Sequence, residues 1–515
     1  MNKYTKTVYF LSLLFIIPLF LLLFVNSLLS LFQTTYMETQ QIVEIPLYKS
    51  DRSILVLVFL MMIVSFIVFL AIKTSILEKY SQLFHILSLV LAGLFCIAIL
   101  CSYKATACCD SQTLVELAAS FLNGDYSSFS GDNYLAHYPH QVGLIGLLQV
   151  ITFLFGAEKY LVFQIMNLIA ILIIIHLLYC ITELLFHNKT LNSIISLLSI
   201  GLVPLFSFVT FVYGDILGLA FALGAITLLI RYLQEKNPIR NLVFCSLSLG
   251  FAILLKSNNM IILVACIIIL TLHAIQNKKW QPILYAIGIL LISTMISSLP
   301  VAYYRQVSKV TPFPDGIPKI AWIAMGLQEN DSLEDGWYNS YNWSVYTNNH
   351  FDTGQTKVAC YASIQDSLST FVSNPKRGAR FFYNKFKSQW NDPGFQSQIT
   401  NEWSSRHQAR YTDYYNWLVF GQGKKVLEWI MNLYHFLILA STLISVPNLI
   451  NRKTWDLPKL VLPLCIFGGY LFHLIWEAQA RYALPYFVMM IPLAGIGIYQ
   501  LSNFISHKHC KHQQP

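Results

Sequence analysis

Asp110 follows directly on a long apolar run and is succeeded by Ser-Gln-Thr-Leu-Val-Glu116 and an apolar-periodic stretch ending near Leu122. A carboxylate at the edge of a membrane can accept a proton from a polar nucleophile arriving from water. Lys104, His137 and His140 in the same loop can balance charge on a phosphate. Three further polar groups interrupt apolar sequence: Tyr213-Gly214-Asp215, Lys256-Ser-Asn258-Asn259 and Glu477-Ala-Gln-Ala-Arg481-Tyr482. Ionisable groups at membrane depth are costly, so each of them points to function. Each also has a plainer reading. Asp110 and Asp215 could cap the helices that follow them, Lys256 could sit in a polar turn, and Glu477 and Arg481, four apart, could pair on a helix surface. For Arg481 the functional alternative is a clamp on phosphoryl oxygens, which its fork of donors fits.

The elements that position these residues are membrane helices. Of the 515 residues, 56% are hydrophobic and only 11% charged, and the mean hydropathy is +0.55. Soluble domains carry about a quarter charged residues, so a soluble enzyme is excluded. Apolar runs predict helices at 8–31, 53–72, 82–103, 139–155, 160–186, 191–212, 215–232, 240–255, 258–275, 281–301, 426–446, 459–475 and 483–503. The fold class is therefore all-α and polytopic, with about 12–13 spans. Runs such as Ile54 to Leu70 do not alternate, which excludes a lipid-facing barrel. The apolar stretch from Val8 to Leu31 is too long for a cleaved signal and reads as a first helix. The ten cysteines are scattered and form no CxxC pair, so neither a disulfide framework nor a structural zinc site is expected. The net charge of +9 fits basic inner loops and lipid headgroups better than nucleic acid.

Two connections are long. The loop 104–138 carries Asp110 and a short surface helix over 112–122. The segment 302–425 is rich in tryptophan and tyrosine and reads as a mixed extracellular domain. Within it, residues 376–390 look like an interfacial basic and aromatic helix. The chain divides into two N-terminal helices (1–81), a core (82–301), the outer domain (302–425) and C-terminal helices (426–515). Arg231, Lys236, Arg240, Lys278, Lys279, Arg452, Lys453, Lys508 and Lys511 mark the cytoplasmic side. Counting sides from the two ends conflicts by one crossing between 139 and 215. Either 139–155 does not span, or a helix there is broken, with Gly201 and Pro204 the natural break in 191–212.

An aspartate after a membrane helix, a surface helix, Gly124-Asp125-Tyr126, and then Tyr138-Pro139-His140-Gln141-Val-Gly143 together resemble the GT-C membrane glycosyltransferases. The nearer likeness is to the bacterial protein-mannosyltransferase-like branch, glycosyltransferase family 39 in type. The resemblance implies a polyprenyl-phosphate-linked sugar donor, inversion at the anomeric carbon and a cell-envelope glycan, lipid or protein as acceptor. It further implies a multi-pass protein of the bacterial plasma membrane, with Asp110 as catalytic base. Tyr138, His140, Gln141, Asp215, Lys256, Glu477 and Arg481 are then the substrate-binding residues. Ser111 stands where many relatives have a second acid, and His140 where many have proline. The first departure leaves a divalent metal requirement open. A polysaccharide polymerase, or a lipid or polysaccharide transporter, is the alternative function, although no internal repeat supports an inverted-repeat transporter.

Overall fold

The computed structural model describes residues 2–37, 44–50, 53–234, 239–330, 334–405 and 412–512. Lys236, one of the basic markers, lies outside the described residues. Among the described residues nine helices are long and apolar enough to cross a bilayer: Lys3–Phe32, Ser81–Ser102, Tyr160–Phe186, Asp215–Gln234, Ser257–Asn277, Gln281–Val307, Gln422–Ile450, Leu457–Ile475 and Leu484–Ile505. Leu14, Leu83, Leu94, Ile169 and Leu291 on these helices are exposed. So much apolar surface is stable only against lipid tails.

Charged side chains define two ends of the bundle. Near the lower end Lys278 covers Tyr4, and Arg452 covers Tyr9. Asp110, Lys256 and Arg481 lie at the upper end. Ile239–Leu255 has 17 residues, yet it runs the full height. It leaves the lower end of Asp215–Gln234 and delivers Lys256 to Asp215 at the upper end, where Nζ and Oδ1 are 3.2 Å apart.

Residues 191–212 form the predicted broken element. Lys189–Ile200 and Val203–Thr210 meet at 48°, and a Cβ on Gly201 would fall 2.4 Å from the Tyr434 ring. Proline at the second turn start and this tight contact together stop the helix from continuing straight. Residues Val142–Phe155 are the second cause of the disputed crossing count. With 14 residues this helix extends about 21 Å, short of the ~30 Å hydrocarbon core. It stays at the upper end. Its midpoint residue Gln149 accepts the Tyr304 hydroxyl at 2.6 Å, from the upper end of Gln281–Val307. The next helix, Tyr160–Phe186, also starts there, with Gln164 donating to the carbonyl of Ala105 at 3.3 Å. The helix is therefore not a span.

Gln33–Met37 and Pro46–Ser50 form an antiparallel hairpin above the first helix. Between Val307 and Gln422 the regular elements among the described residues are helices joined by irregular segments, with one bridge between Trp337 and Ala478, so the strands a mixed domain would carry are not found among those residues. The helix Pro375–Trp390 also differs from expectation. Lys376, Arg377 and Arg380 are exposed, but Phe381, Phe386, Trp390 and Lys385 are buried. The Lys385 ammonium donates to the carbonyl of Gly326. One face of this helix is thus a wall of the upper region, since its apolar positions repeat at helical spacing.

Candidate functional site

Asp110 opens the helix Asp110–Leu122. The preceding residue, Cys109, has φ of +53°, a left-handed conformation that costs energy for a residue with a Cβ. Ser111 ties this turn: its hydroxyl donates to the Cys108 carbonyl at 2.7 Å and accepts the Cys108 N–H at 3.1 Å. Asp110 is left exposed and performs no cap. Among the described residues its carboxylate has no hydrogen bond or ion pair. The loop before it is anchored by Thr106, whose N–H donates to Ser404 at 3.1 Å. Cys109 is exposed, and a hydrogen bond from the Cys108 thiol brings its own thiol down to about 7.

Asp215 and Lys256 are a preformed pair, with Nζ 3.2 and 3.3 Å from the two carboxylate oxygens. Glycines make this approach possible. A Cβ at Gly214 would sit 1.9 Å from the carbonyl oxygen of Leu255. One at Gly218 would meet Asn259 at 2.8 Å, and one at Gly143 the Leu254 carbonyl at 2.5 Å. Lys256 is thus held in a corner built against three small residues. Gly214→Ala is expected to lower stability by about 1–3 kcal/mol through overpacking, read as a lower unfolding midpoint in detergent. Gly288→Ala, where nothing lies within 4 Å, should leave that midpoint nearly unchanged.

Arg481 lies in a short 3-10 turn, Ala480–Tyr482, between two spans. Residues 476–479 are extended and joined to the 308–421 region: the N–H of Ala478 donates to the carbonyl of Gly336 at 2.9 Å. Glu477 and Arg481 are therefore not one helical turn apart, and no ion pair joins them. The guanidinium carbon is 5.8 Å from the ring centroids of Phe211 and Tyr213 and 5.5 Å from that of Tyr482. Lys256 shares two of those rings, 4.7 Å from Tyr213 and 5.0 Å from Tyr482. Aromatic faces hold cations without neutralising them. Among the described residues Nε of Arg481 is buried with no hydrogen-bond partner, while its backbone N–H is fixed by Gln396 Oε1 at 2.9 Å. A buried donor without a partner costs free energy unless a ligand completes it.

Of the other predicted residues, Gln141 donates to the Tyr213 hydroxyl at 2.7 Å and orients that ring. Glu477 is buried and accepts from Gln479 at 3.3 Å. Burial pushes its carboxyl up to about 7, against the opposing pull of Arg481. Tyr138 and His140 lie at the rim, with ring centroids 6.1 Å from that of Trp322. Trp322 in turn stacks on Trp476 at 5.9 Å. Asp110 is within electrostatic reach of Tyr138, Tyr213 and Glu477, so all eight predicted residues converge on one upper chamber.

Several members of the chamber were not singled out from the sequence. Glu44, in the N-terminal hairpin, accepts from Gln479 at 3.1 Å, and burial raises its carboxyl. His473 is buried and stacks on Tyr482 at 5.6 Å, and among the described residues neither of its ring nitrogens is hydrogen-bonded. Lys385 is brought down to about 7 by burial, with Glu477 pulling the other way. Tyr482 had a signal, since it adjoins Arg481. Among the described residues no three His, Cys, Asp or Glu side chains come together as a metal site. The carboxylates within electrostatic reach of Asp110 are Glu44 and Glu477.

The two cations over aromatic faces, Lys256 and Arg481, stand with a matched core. Residues 145–304 match the dolichyl-phosphate-mannose-protein mannosyltransferase family. The matched segment contains Asp215 and Lys256, while Asp110 and Arg481 flank it. No curated protein matches the chain. Among solved structures, the oligosaccharyltransferase AglB of Archaeoglobus fulgidus, in complex with an inhibitory peptide and a dolichol-phosphate, is 12% identical. The match covers 85% of this chain and 52% of that one, with a TM-score of 0.41. The same archaeal enzyme in complex with Zn and sulfate is 14% identical over 82% of this chain and 50% of that one, TM-score 0.44. ArnT from Cupriavidus metallidurans, bound to undecaprenyl phosphate, is 12% identical over 82% of this chain and 78% of that one, TM-score 0.35. The chain spans about half the length of the archaeal enzyme.

Proposed function

We propose that the protein is a glycosyltransferase of the bacterial plasma membrane that takes its sugar from a polyprenyl-phosphate-linked donor on the outer face. The observation that carries this reading is the Arg481 guanidinium, seated on three aromatic rings beside Lys256, with a buried Nε that no described residue pairs. Such a place suits a phosphate diester, since the fork of donors meets phosphoryl oxygens and the rings exclude water. The outer side follows from the basic residues at the opposite end of the bundle.

In the proposed reaction an acceptor hydroxyl oxygen attacks the anomeric carbon of the donor. The bond between that carbon and the phosphate oxygen breaks, and the configuration inverts. Asp110 receives the hydroxyl proton, and its free carboxylate suits that role. Charge developing on the departing lipid phosphate is met by Arg481 and Lys256, with His140 at the rim. Asp215 holds Lys256 in place, and Gln141 holds Tyr213 under both cations. Tyr138 and Trp322 form a wall on which a sugar ring can rest.

The test uses the purified protein in proteoliposomes supplied with polyprenyl-phosphate sugars extracted from bacterial membranes. Mass spectrometry should show free polyprenyl phosphate accumulating together with a glycosylated product. Movement of intact sugar-lipid between leaflets, with no release of lipid phosphate, would instead establish a transporter.

A further inference from the structure

Cys108 and Cys109 are adjacent in the chain, directly before Asp110, and the reaction proposed above uses neither. Among the described residues neither is joined in a disulfide; Cys109 is exposed and Cys108 half-buried. Their thiols meet in a hydrogen bond, with Cys108 donating to the Cys109 sulfur, and this contact is the main reason the Cys109 thiol is lowered to about 7. Partial desolvation, Asp110 and Glu44 oppose the shift, and Arg481 assists it. A large share of Cys109 is therefore thiolate near neutral pH, and the thiolate is the form that attacks.

The backbone joining the two thiols also sets the position of Asp110. Cys109 has φ of +53° and ψ of −134°, a region that residues with a Cβ occupy at a cost. Ser111 holds the N–H and the carbonyl of Cys108. The Cys109 carbonyl accepts the N–H groups of Gln112 and Thr113 at 3.0 and 3.2 Å, which starts the helix Asp110–Leu122. A disulfide between neighbours must bridge a Cα separation of about 3.8 Å, below the range of about 4.4–6.8 Å that disulfides prefer. Closing it rotates the linking peptide and loosens the ties around it, and the strain makes the bond easy to reduce again. The displacement falls on Asp110, the next residue.

We propose that Cys108 and Cys109 are a thiol-oxidation site: a small-molecule disulfide converts them to a vicinal disulfide, and the shifted Asp110 turn then stops sugar transfer. The second half of this proposal rests on the glycosyltransferase reading, whose outer-face placement puts the pair where disulfides persist. The Cys109 thiolate attacks one sulfur of the external disulfide, breaking its S–S bond and releasing one thiolate. Cys108 then gives its proton to solvent and attacks the Cys109 sulfur, releasing the second. The protein loses two protons and two electrons, and the external disulfide becomes two thiols. A thiol reductant reverses both steps.

The experiment incubates the purified protein with oxidised glutathione, caps remaining thiols with N-ethylmaleimide and cleaves after lysine and arginine. The 105–159 peptide then contains Cys108 and Cys109 and no other cysteine. Its mass should fall by two hydrogens, with neither cap nor glutathione attached, and dithiothreitol should restore it. Cys108→Ser should stop at a stable glutathione adduct on Cys109, and Cys109→Ser should react at least about tenfold more slowly. A glutathione adduct that persists on the parent, capping of both thiols, or a disulfide between two copies of the chain would overturn the proposal. Release of polyprenyl phosphate is measured on the same samples. The oxidised parent should turn over at least about tenfold more slowly than the reduced one, since displacing a reacting group by about 1 Å can cost more than that. Cys109→Ser treated alike should keep its rate. Full turnover by the disulfide form would remove the switch. No turnover by the reduced parent would instead sink the glycosyltransferase reading, while the peptide masses would still decide whether the oxidation site exists.

Discussion

Asp110→Asn is expected to abolish sugar transfer, lowering turnover by about 10²–10⁴-fold, the range supplied by a positioned general base. The substitution keeps the size and the backbone, and because Asp110 makes no hydrogen bond or ion pair among the described residues, it removes nothing that holds the fold together. Ser111 ties the turn, and Thr106 anchors the loop, so expression and the unfolding midpoint should match the parent. Binding of the polyprenyl-phosphate sugar, followed by equilibrium filtration in detergent, should change by less than about threefold, since the donor phosphate is held by Arg481 and Lys256. Asp110→Glu should recover part of the activity. Full transfer by the asparagine variant would remove the catalytic assignment.

The positions of these residues stood out in the sequence because charged groups interrupt apolar runs. Asp110, Asp215, Lys256 and Arg481 each break a hydrophobic stretch, although a cap, a polar turn or a surface ion pair would give the same pattern. The helices were equally readable, since a span needs only length and hydropathy. What remained hidden came from contacts across hundreds of residues. Glu44 meets Gln479, and nothing near residue 44 signals it. His473 lies inside an apolar run, where one ring looks like ordinary core. Residues 376–390 were misread because a basic, aromatic helix has the same pattern whether its apolar face meets lipid or protein. The Val142–Phe155 helix is as apolar as a span; charge counting left open whether it crosses, and its length and neighbours show that it does not.

Arg481→Lys should weaken donor binding at least about 30-fold, the equivalent of about 2 kcal/mol for a buried charged contact. Lysine keeps the charge but lacks the planar fork, so one phosphoryl oxygen loses its partner. The fold should survive, because Gln396 holds the backbone N–H of residue 481 and not its side chain. The same measurement repeated against pH carries a sign. Glu477, raised to about 7 by burial, is protonated below that value and competes for Arg481 above it. Lys385, lowered to about 7 by burial, loses its charge over the same interval. Both changes make the chamber more negative as pH rises through about 7, so donor affinity should fall there. Glu477→Gln should flatten most of that fall. An arginine-to-lysine variant that binds donor normally at every pH would exclude the phosphate clamp.

The Val142–Phe155 helix also fixes the parity of the chain. Because it lies at the upper end, the two halves of the protein are threaded in register: the first half brings Asp110 up, and the second brings Arg481 up to meet it. Were this helix extended by two turns into a full span, every later segment would be inverted. Lys256, Arg481 and the entire 308–421 region would then emerge in the opposite compartment from Asp110. A reacting pair split between compartments cannot share a substrate, so the shortness of one helix decides whether the halves form an active chamber.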